Sequence, residues 1–249
     1  MRNVGCAMIG LPQRALVDVT PNYHARAATQ RAFSLPPTQV DRPSRRRYAC
    51  VMPSIATRSM PDSNLSLTPY KVTICGLGEL PGLCNGDVTH LLSLLDARHP
   101  VPESLNALDG VDRELLHFDD VVAEYPGFIA CSVADVERIL SFGERVHAAG
   151  ARARHLLVHC HAGISRSTAA AAVLMAQFNP GRETEAFLKL LDIRPHAWPN
   201  TRVVEMADRI LDRKGALLDG LVAYRRALLE RKPQLSQIVI NIGRGHELP

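Results

Sequence analysis

The 249-residue chain lacks any long apolar run: the longest, Ala169–Ala176, is eight residues, against the roughly 20 that span a bilayer as a helix. No membrane partner is expected. There is no Cys-x-x-Cys pair either. The six cysteines (Cys6, Cys50, Cys75, Cys84, Cys131 and Cys160) are scattered, and no spacing suits a zinc knuckle. Scattered thiols in a chain of this size are expected to be reduced, which points to a cytoplasmic protein. Acidic residues are scarce at one end, and lysine is absent there. Residues 1–59 hold nine arginines, no lysine and only Asp18 and Asp41, a net of +7. The whole chain has 29 basic and 25 acidic residues, so the rest carries 20 against 23, a net of −3. The basic balance belongs to the extension, and nucleic-acid binding by the body is not expected.

Residues 1–68 read as a disordered basic N-terminal extension. Helical or alternating periodicity is missing, six prolines from Pro12 to Pro53 interrupt the chain, and Arg45-Arg46-Arg47 adds charge. Nothing there can bury enough apolar surface to offset the entropy of ordering. An Arg-rich, Ser-rich, acid-poor targeting segment and a nucleic-acid arm are the alternatives. A start at Met52 or Met60 would remove most of the segment.

What is present begins at Pro69. Tyr70–Cys75, Val88–Leu95, Glu114–Phe118 and Arg154–His159 read as strands. Glu79–Asn85 reads as a loop. Ser132 opens a helix to about His147, with Val133, Val136, Ile139, Leu140 and Val146 at helical spacing and Asp135 completing a variant capping box. Four more helices are predicted over Ser167–Phe178, Glu183–Leu191, Thr201–Arg213 and Ala216–Arg231. The tail Gln237–Ile242 reads as a strand or a packed extension. Alternating strands and helices followed by a helical run predict an α/β fold: a central mixed, largely parallel sheet of about four to five strands, flanked by helices. Residues 69–215 form the expected domain, and 216–249 a C-terminal helix and tail packed on it or extending it.

The chemistry concentrates in VHCHAGISRST, residues 158–168. A metal site fails because successive strand residues His159, Cys160 and His161 point to opposite faces. A redox centre lacks a nearby resolving cysteine, with Cys84 the only remote candidate. A third reading uses every part. An apolar strand delivers Cys160 to its C-terminal edge, and a five-residue turn leads to a helix starting near Arg166. That turn aims backbone N–H groups inward, and the helix N-terminus adds its positive end. Gly163 allows a tight turn where a Cβ would crowd a bound anion. Arg166 can clamp two phosphate oxygens with its planar fork. Such a field favours a thiolate, and a thiolate beneath a phosphate cradle is a nucleophile for phosphorus.

The pattern Cys160-x5-Arg166-Ser167, preceded by His159 and an apolar strand, resembles the cysteine-dependent protein tyrosine phosphatase superfamily. HCxAGISRS looks most like its dual-specificity branch, and the resemblance covers about Tyr70–Leu217. RPHAWPNTRVVEMADRIL is similar to the matching segment of bacterial predicted tyrosine phosphatases. The resemblance implies a dual-specificity-phosphatase-like fold and a phosphocysteine intermediate on Cys160. It makes His161, Ala162, Gly163, Ile164, Ser165 and Arg166 the phosphate-binding loop. Ser167 would ease departure of the sulfur, His159 would help to set the thiolate, and no metal or cofactor is needed.

A phosphate ester also wants a general acid, which the superfamily places on an upstream loop. Asp119-Asp120 follows the third strand directly. Asp120 is favoured over Asp119, with Glu124 a distant third. The 40 residues between Asp120 and Cys160 exceed the usual separation, placing the excess in Val121–Ala130, a candidate lid bent at Pro126-Gly127. Trp198-Pro199-Asn200 mimics an acid-loop motif but lies downstream of the cysteine. Its expected role is to cap the helix at Thr201, with positioning of the hydrolytic water by Asn200 as an alternative. Low-molecular-weight phosphatases share Cys-x5-Arg but place Asp-Pro downstream, and none follows Cys160.

His161 is the one ionisable variable residue of the loop, and the absence of lysines there argues against polyphosphorylated lipids. The expected partners are a phosphorylated protein or small phosphomonoester: phosphotyrosine first, phosphoserine or phosphothreonine also. The rival reading is a phosphate-binding adaptor without turnover. His90, His117 and His155 read as structural.

Overall fold

The computed structural model describes residues 66–249. The expectations for the extension lie outside the described residues up to residue 65. The described chain is α/β, with strands β1 (Lys71–Cys75), β2 (His90–Leu95), β3 (Asp112–His117) and β4 (His155–His159). Their order is β1-β4-β2-β3 and every pairing is parallel. β4 and β2, in the middle, are buried along their whole lengths, as strands covered on both faces must be. The edge strands β1 and β3 carry the polar, partly exposed residues.

Side chains alternate between two cores, as the two-residue strand period requires. Leu92, Leu94, Leu156 and Val158 face the larger core; Leu91, Leu157 and Cys75 face a smaller one, where Leu80 and Leu105 pack. The helices are α1 (Leu80–Leu83), α2 (Val133–Ala149), α3 (Arg166–Gln177), α4 (Glu183–Leu188), α5 (Leu190–Ile193), α6 (Thr201–Ile210), α7 (Ala216–Arg231) and α8 (Leu235–Asn241). Every residue of α3 is buried. Its run of four alanines lets the sheet, α2, α4 and α6 all approach one helix. No helix among the described residues is long and apolar enough to cross a membrane.

Local signals hold at α2. Ser132 accepts from the Asp135 amide, and Asp135 accepts from the Ser132 amide at 2.9 Å. Val133 is 52% exposed, because the first helical position turns away from the stripe begun by Val136. The segment 183–191 breaks in two at Lys189. The tail is not a strand but helix α8, docked on the core through Val239. Its backbone bonds close locally, Gly243 ends it at φ 78°, and only Val239 is buried, with Ile238, Ile240 and Ile242 exposed. β-branched residues therefore stand in a helix here, since packing overrides propensity. α7 buries Leu217, Leu221, Tyr224 and Leu228 beside α4 and α6, and the Tyr224 hydroxyl donates to Ala197 O at 2.9 Å.

Candidate active site

Parallel strands bring their carboxyl ends to one edge, where α/β proteins bind ligands. Cys160 leaves β4 at that edge, residues 161–165 turn, and α3 starts at Arg166. Cys160 is 1% exposed, its sulfur lies 3.1 Å from Ser167 Oγ, and its amide reaches Cys75 O at the end of β1.

The loop's five carbonyls all turn outward and all find donors. His161 O accepts from Leu77 N at 2.9 Å, Ile164 O from Trp198 N at 2.8 Å, and Ser165 O from Asn200 N at 3.2 Å and Ala169 N at 3.0 Å. Arg194 takes the two between, donating from Nη2 to Ala162 O at 3.1 Å and from Nε to Gly163 O at 3.0 Å. The same guanidinium pairs with Glu79 at 2.8 and 2.7 Å. These bonds hold the Glu79 carboxyl below its usual range, and Glu79 in turn accepts from Gly76 N. Among the described residues no hydrogen bond uses the amides of 161–165. Five outward carbonyls and five uncommitted N–H groups make an anion cup.

Gly163 sits at φ +68°, and a Cβ there would lie 2.5 Å from Cys75 C and 2.7 Å from Gly76 N. The positive φ fits the tight turn, and the end of β1 is a second reason for glycine here. Gly76 is constrained reciprocally, since its Cβ would meet His161 O at 2.8 Å.

Arg166 is 2% exposed. Nη1 donates to Phe118 O at 2.6 Å, Nη2 pairs with Asp96 at 2.7 Å, and Nε lies 3.8 Å from Asp120 Oδ2 without a hydrogen bond of its own. Asp96, just past β2, also holds His161: its amide donates to Nε2 at 3.2 Å and its carboxylate stands 3.4 Å from Nδ1. Burial pushes the His161 pKa down. His159 is fully buried against Ser93 Oγ at 2.7 Å, and burial carries it down to about 4, so it is neutral near pH 7. A cavity of about 340 Å³ opens between Asp96, Asp120, Val121, Phe128, His161 and Arg166.

The two adjacent aspartates do different things. Asp119 staples the following loop: Oδ2 accepts from Ile129 N at 2.7 Å, Oδ1 from Ala97 N at 3.2 Å, and its own amide donates to Ile129 O. The Ile129 bond is the largest cause holding its carboxyl below the usual range. Asp120 faces the cup, accepting from Ser165 Oγ at 2.6 Å and Asn200 Nδ2 at 2.9 Å on one oxygen. Val121–Ala130 bends at Gly127, φ 85°, and exposes Tyr125, Phe128 and Ile129. Glu124 pairs with Arg202 at 3.2 Å and is 85% exposed.

Cys160, Arg166, Ser167, the loop 161–165 and Asp120 thus come together, with His159 one residue below. Asp119 lines the same cavity, but its carboxylate is bonded to Ile129 N and Ala97 N, and Glu124 is paired with Arg202. Cys84 packs with the smaller core and Cys160 with the larger, on the other face of the sheet. Burial pushes the thiols of Cys75 and Cys131 up to about 12. Asn200 caps α6 through Val203 N. Sequence reasoning missed Asp96, Arg194 and Glu79, and also Arg244, whose Nη1 donates to Ser165 Oγ at 3.2 Å. Asp96 carried a signal, as a carboxylate ending a strand next to the motif strand. Arg194 carried none. Among the described residues no group of three or more His, Cys, Asp or Glu could hold a metal ion.

No family model matches the chain, and no curated protein matches it. Among solved structures the chain is similar to Tk-PTP in the active form, at 19% identity over 62% of this chain and 99% of that one, with a TM-score of 0.44. It is similar to human DUSP28 at 19% identity, over 60% and 96% of the two chains, with a TM-score of 0.43. The Yvh1 phosphatase domain from Chaetomium thermophilum matches at 21% identity, over 60% and 95%, with a TM-score of 0.45.

Proposed function

We propose that the chain is a phosphoric monoester hydrolase of the protein-tyrosine-phosphatase type, acting on phosphotyrosine in proteins or on small aryl phosphates, and on phosphoserine or phosphothreonine as well. One observation carries the reading. The carbonyls of 161–165 are all bonded outward, which leaves their amides to bind oxyanions between Cys160 and Arg166.

In this mechanism the Cys160 thiolate attacks phosphorus and forms the S–P bond. The ester P–O bond breaks as Asp120 gives its proton to the leaving oxygen. The loop amides and the Nε and Nη2 protons of Arg166 bind the equatorial oxygens, so the incoming phosphoryl group competes with Asp96 for Nη2. Water then attacks phosphorus and Asp120 takes its proton back. The S–P bond breaks with its electron pair returning to sulfur, and Ser167 Oγ, 3.1 Å away, donates a hydrogen bond to it. Inorganic phosphate leaves. His159, neutral and held by Ser93, fixes the end of β4 from which Cys160 projects. The domain 69–215 carries this machinery, with 216–249 packed on it.

The test is turnover of 4-nitrophenyl phosphate and a phosphotyrosine peptide by the full chain, with trapping of the phosphoenzyme. The reading requires wild-type turnover, none for Cys160→Ser, and an acid-quenched phosphoryl group on Cys160. An adaptor would bind the peptide through both proteins and turn over neither substrate.

A further inference from the structure

The C-terminal segment reaches the candidate site through Arg244. Beyond α8, Gly243 turns the chain, and Arg244 N returns to Val239 O at 2.9 Å. Glu247 is thereby 6% exposed, beside Trp198 and Thr201. Its carboxylate accepts from Trp198 Nε1 at 2.8 Å, Arg225 Nη2 at 3.0 Å, Arg244 Nε at 2.5 Å and Nη2 at 3.0 Å, and from the Thr201 hydroxyl. Burial pushes that carboxyl up, but the Arg244 hydrogen bonds and the two guanidinium charges outweigh it and bring it to about 2. The anion fixes Arg244 with a bidentate grip and leaves Nη1 free to reach outward.

Nη1 donates to Ser165 Oγ at 3.2 Å, and Ser165 Oγ donates to Asp120 Oδ1 at 2.6 Å. A serine hydroxyl has one proton. With a cation donating to its oxygen, that proton is directed away from the cation and onto Asp120. Hydrogen bonds in such a chain also strengthen one another. Asn200 Nδ2 holds the same Asp120 oxygen, which leaves Oδ2 to face Arg166 and the cavity.

We propose that Arg244 is a positioning residue: through Ser165 it fixes the orientation of Asp120, making the C-terminal tail part of the active site. The proposal rests on the phosphatase reading above. Arg244 touches neither substrate nor phosphorus, and its whole effect passes through the acid.

The effect can be separated from a general loss of structure by leaving group. Protonation of the departing oxygen matters greatly for phenyl phosphate and little for 2,4-dinitrophenyl phosphate. Since a general acid contributes about 10²–10⁴-fold, Arg244→Ala should lower kcat/KM for phenyl phosphate by about tenfold. It should leave the dinitrophenyl ester within about twofold. In a Ser165→Ala background Arg244→Ala should cost nothing more, since its effect passes through that hydroxyl, and Arg244→Lys should restore part of the loss. In an Asp120→Ala background Arg244→Ala should cost nothing more. Equal losses on both esters, or an undiminished loss in the Asp120→Ala background, would overturn the proposal. If Arg244→Ala does not fold, Arg244→Gln decides by the same two criteria. Absence of wild-type turnover on either ester takes down the phosphatase reading itself, and this proposal with it.

Discussion

The loop 161–165 and the loop 121–130 meet across one cavity, yet they are built in opposite ways. Each carbonyl of the first is tied to a partner from another part of the chain, down to Arg194 and Asn200. The second is pinned at its base by Asp119 and bears exposed Tyr125, Phe128 and Ile129. The difference is between a pre-organised binding surface and an approach to it. A cup for a developing oxyanion must be in place before the reaction, since moving dipoles at that moment costs what they would gain. The second loop is held at fewer points, by Asp119 to Ile129, by Asn200 to Asp120 and Val121 O, and by Arg202 to Glu124.

The largest expected break in this contrast is on the cup side. Arg166→Lys keeps the charge but loses the fork that meets Phe118 O and Asp96. It should lower kcat by about 10²–10³-fold, read by steady-state turnover of 4-nitrophenyl phosphate. A loss under threefold would mean that charge alone suffices. Asp120→Asn should cost about 10²-fold or more on phenyl phosphate, whereas Asp119→Asn should act on the loop. If Asp119→Asn costs more, the two roles are reversed.

Arg194→Ala comes next. It frees the carbonyls of Ala162 and Gly163, and misplacing reacting groups by about 1 Å costs on the order of 10²-fold. The loss should therefore fall between about tenfold and 10²-fold, with weaker inhibition by inorganic phosphate and a melting temperature close to wild type. Unchanged phosphate inhibition would show that Arg194 braces the fold without shaping the cup.

The smallest effect is on stability. His159 has an ordinary pKa of 6.5 and is carried by burial to about 4. The unfolded chain thus takes up the proton first as pH falls. Stability is complete above pH 6.5 and declines between 6.5 and 4, by roughly 3 kcal/mol at most from this group. Glu247, carried to about 2, adds a further decline below pH 4.5. Thermal melts from pH 7.5 to 3.5 should show both windows, and His159→Asn should make the first shallower, the remainder coming from His90, His155, His161 and His196, which burial also lowers.

How much of this could be read from the residues follows from how local each feature is. The strand, cysteine, glycine, arginine and helix start of 158–168 are contiguous, so the turn and its chemistry are legible in eleven letters. The burial of β2 and β4 is legible because leucine and valine fill both faces of each, with only Ser93 and the histidines between and beside them. The donors that close the cup are not legible. Leu77, Arg194, Trp198 and Asn200 come from two other stretches, and no periodicity links an arginine to two carbonyls 31 and 32 residues away. The tail misleads for a related reason: QIVINI has strand composition, but Val239 docks it as a helix and Arg244 then reaches Ser165. Asp119 and Asp120 are indistinguishable as letters. A hydrogen bond from Ile129 N to one carboxylate and one from Ser165 Oγ to the other separate them.

The central claim is that the amides of 161–165 and the Arg166 guanidinium bind a phosphoryl group directly over the sulfur of Cys160. A crystal structure of the full chain with orthovanadate tests it most directly. The account predicts vanadium bonded to Cys160 Sγ, its equatorial oxygens taking hydrogen bonds from the loop amides and Arg166, and Asp120 beside the apical oxygen. Vanadate seated elsewhere, or a loop whose carbonyls turn inward when it binds, would contradict it.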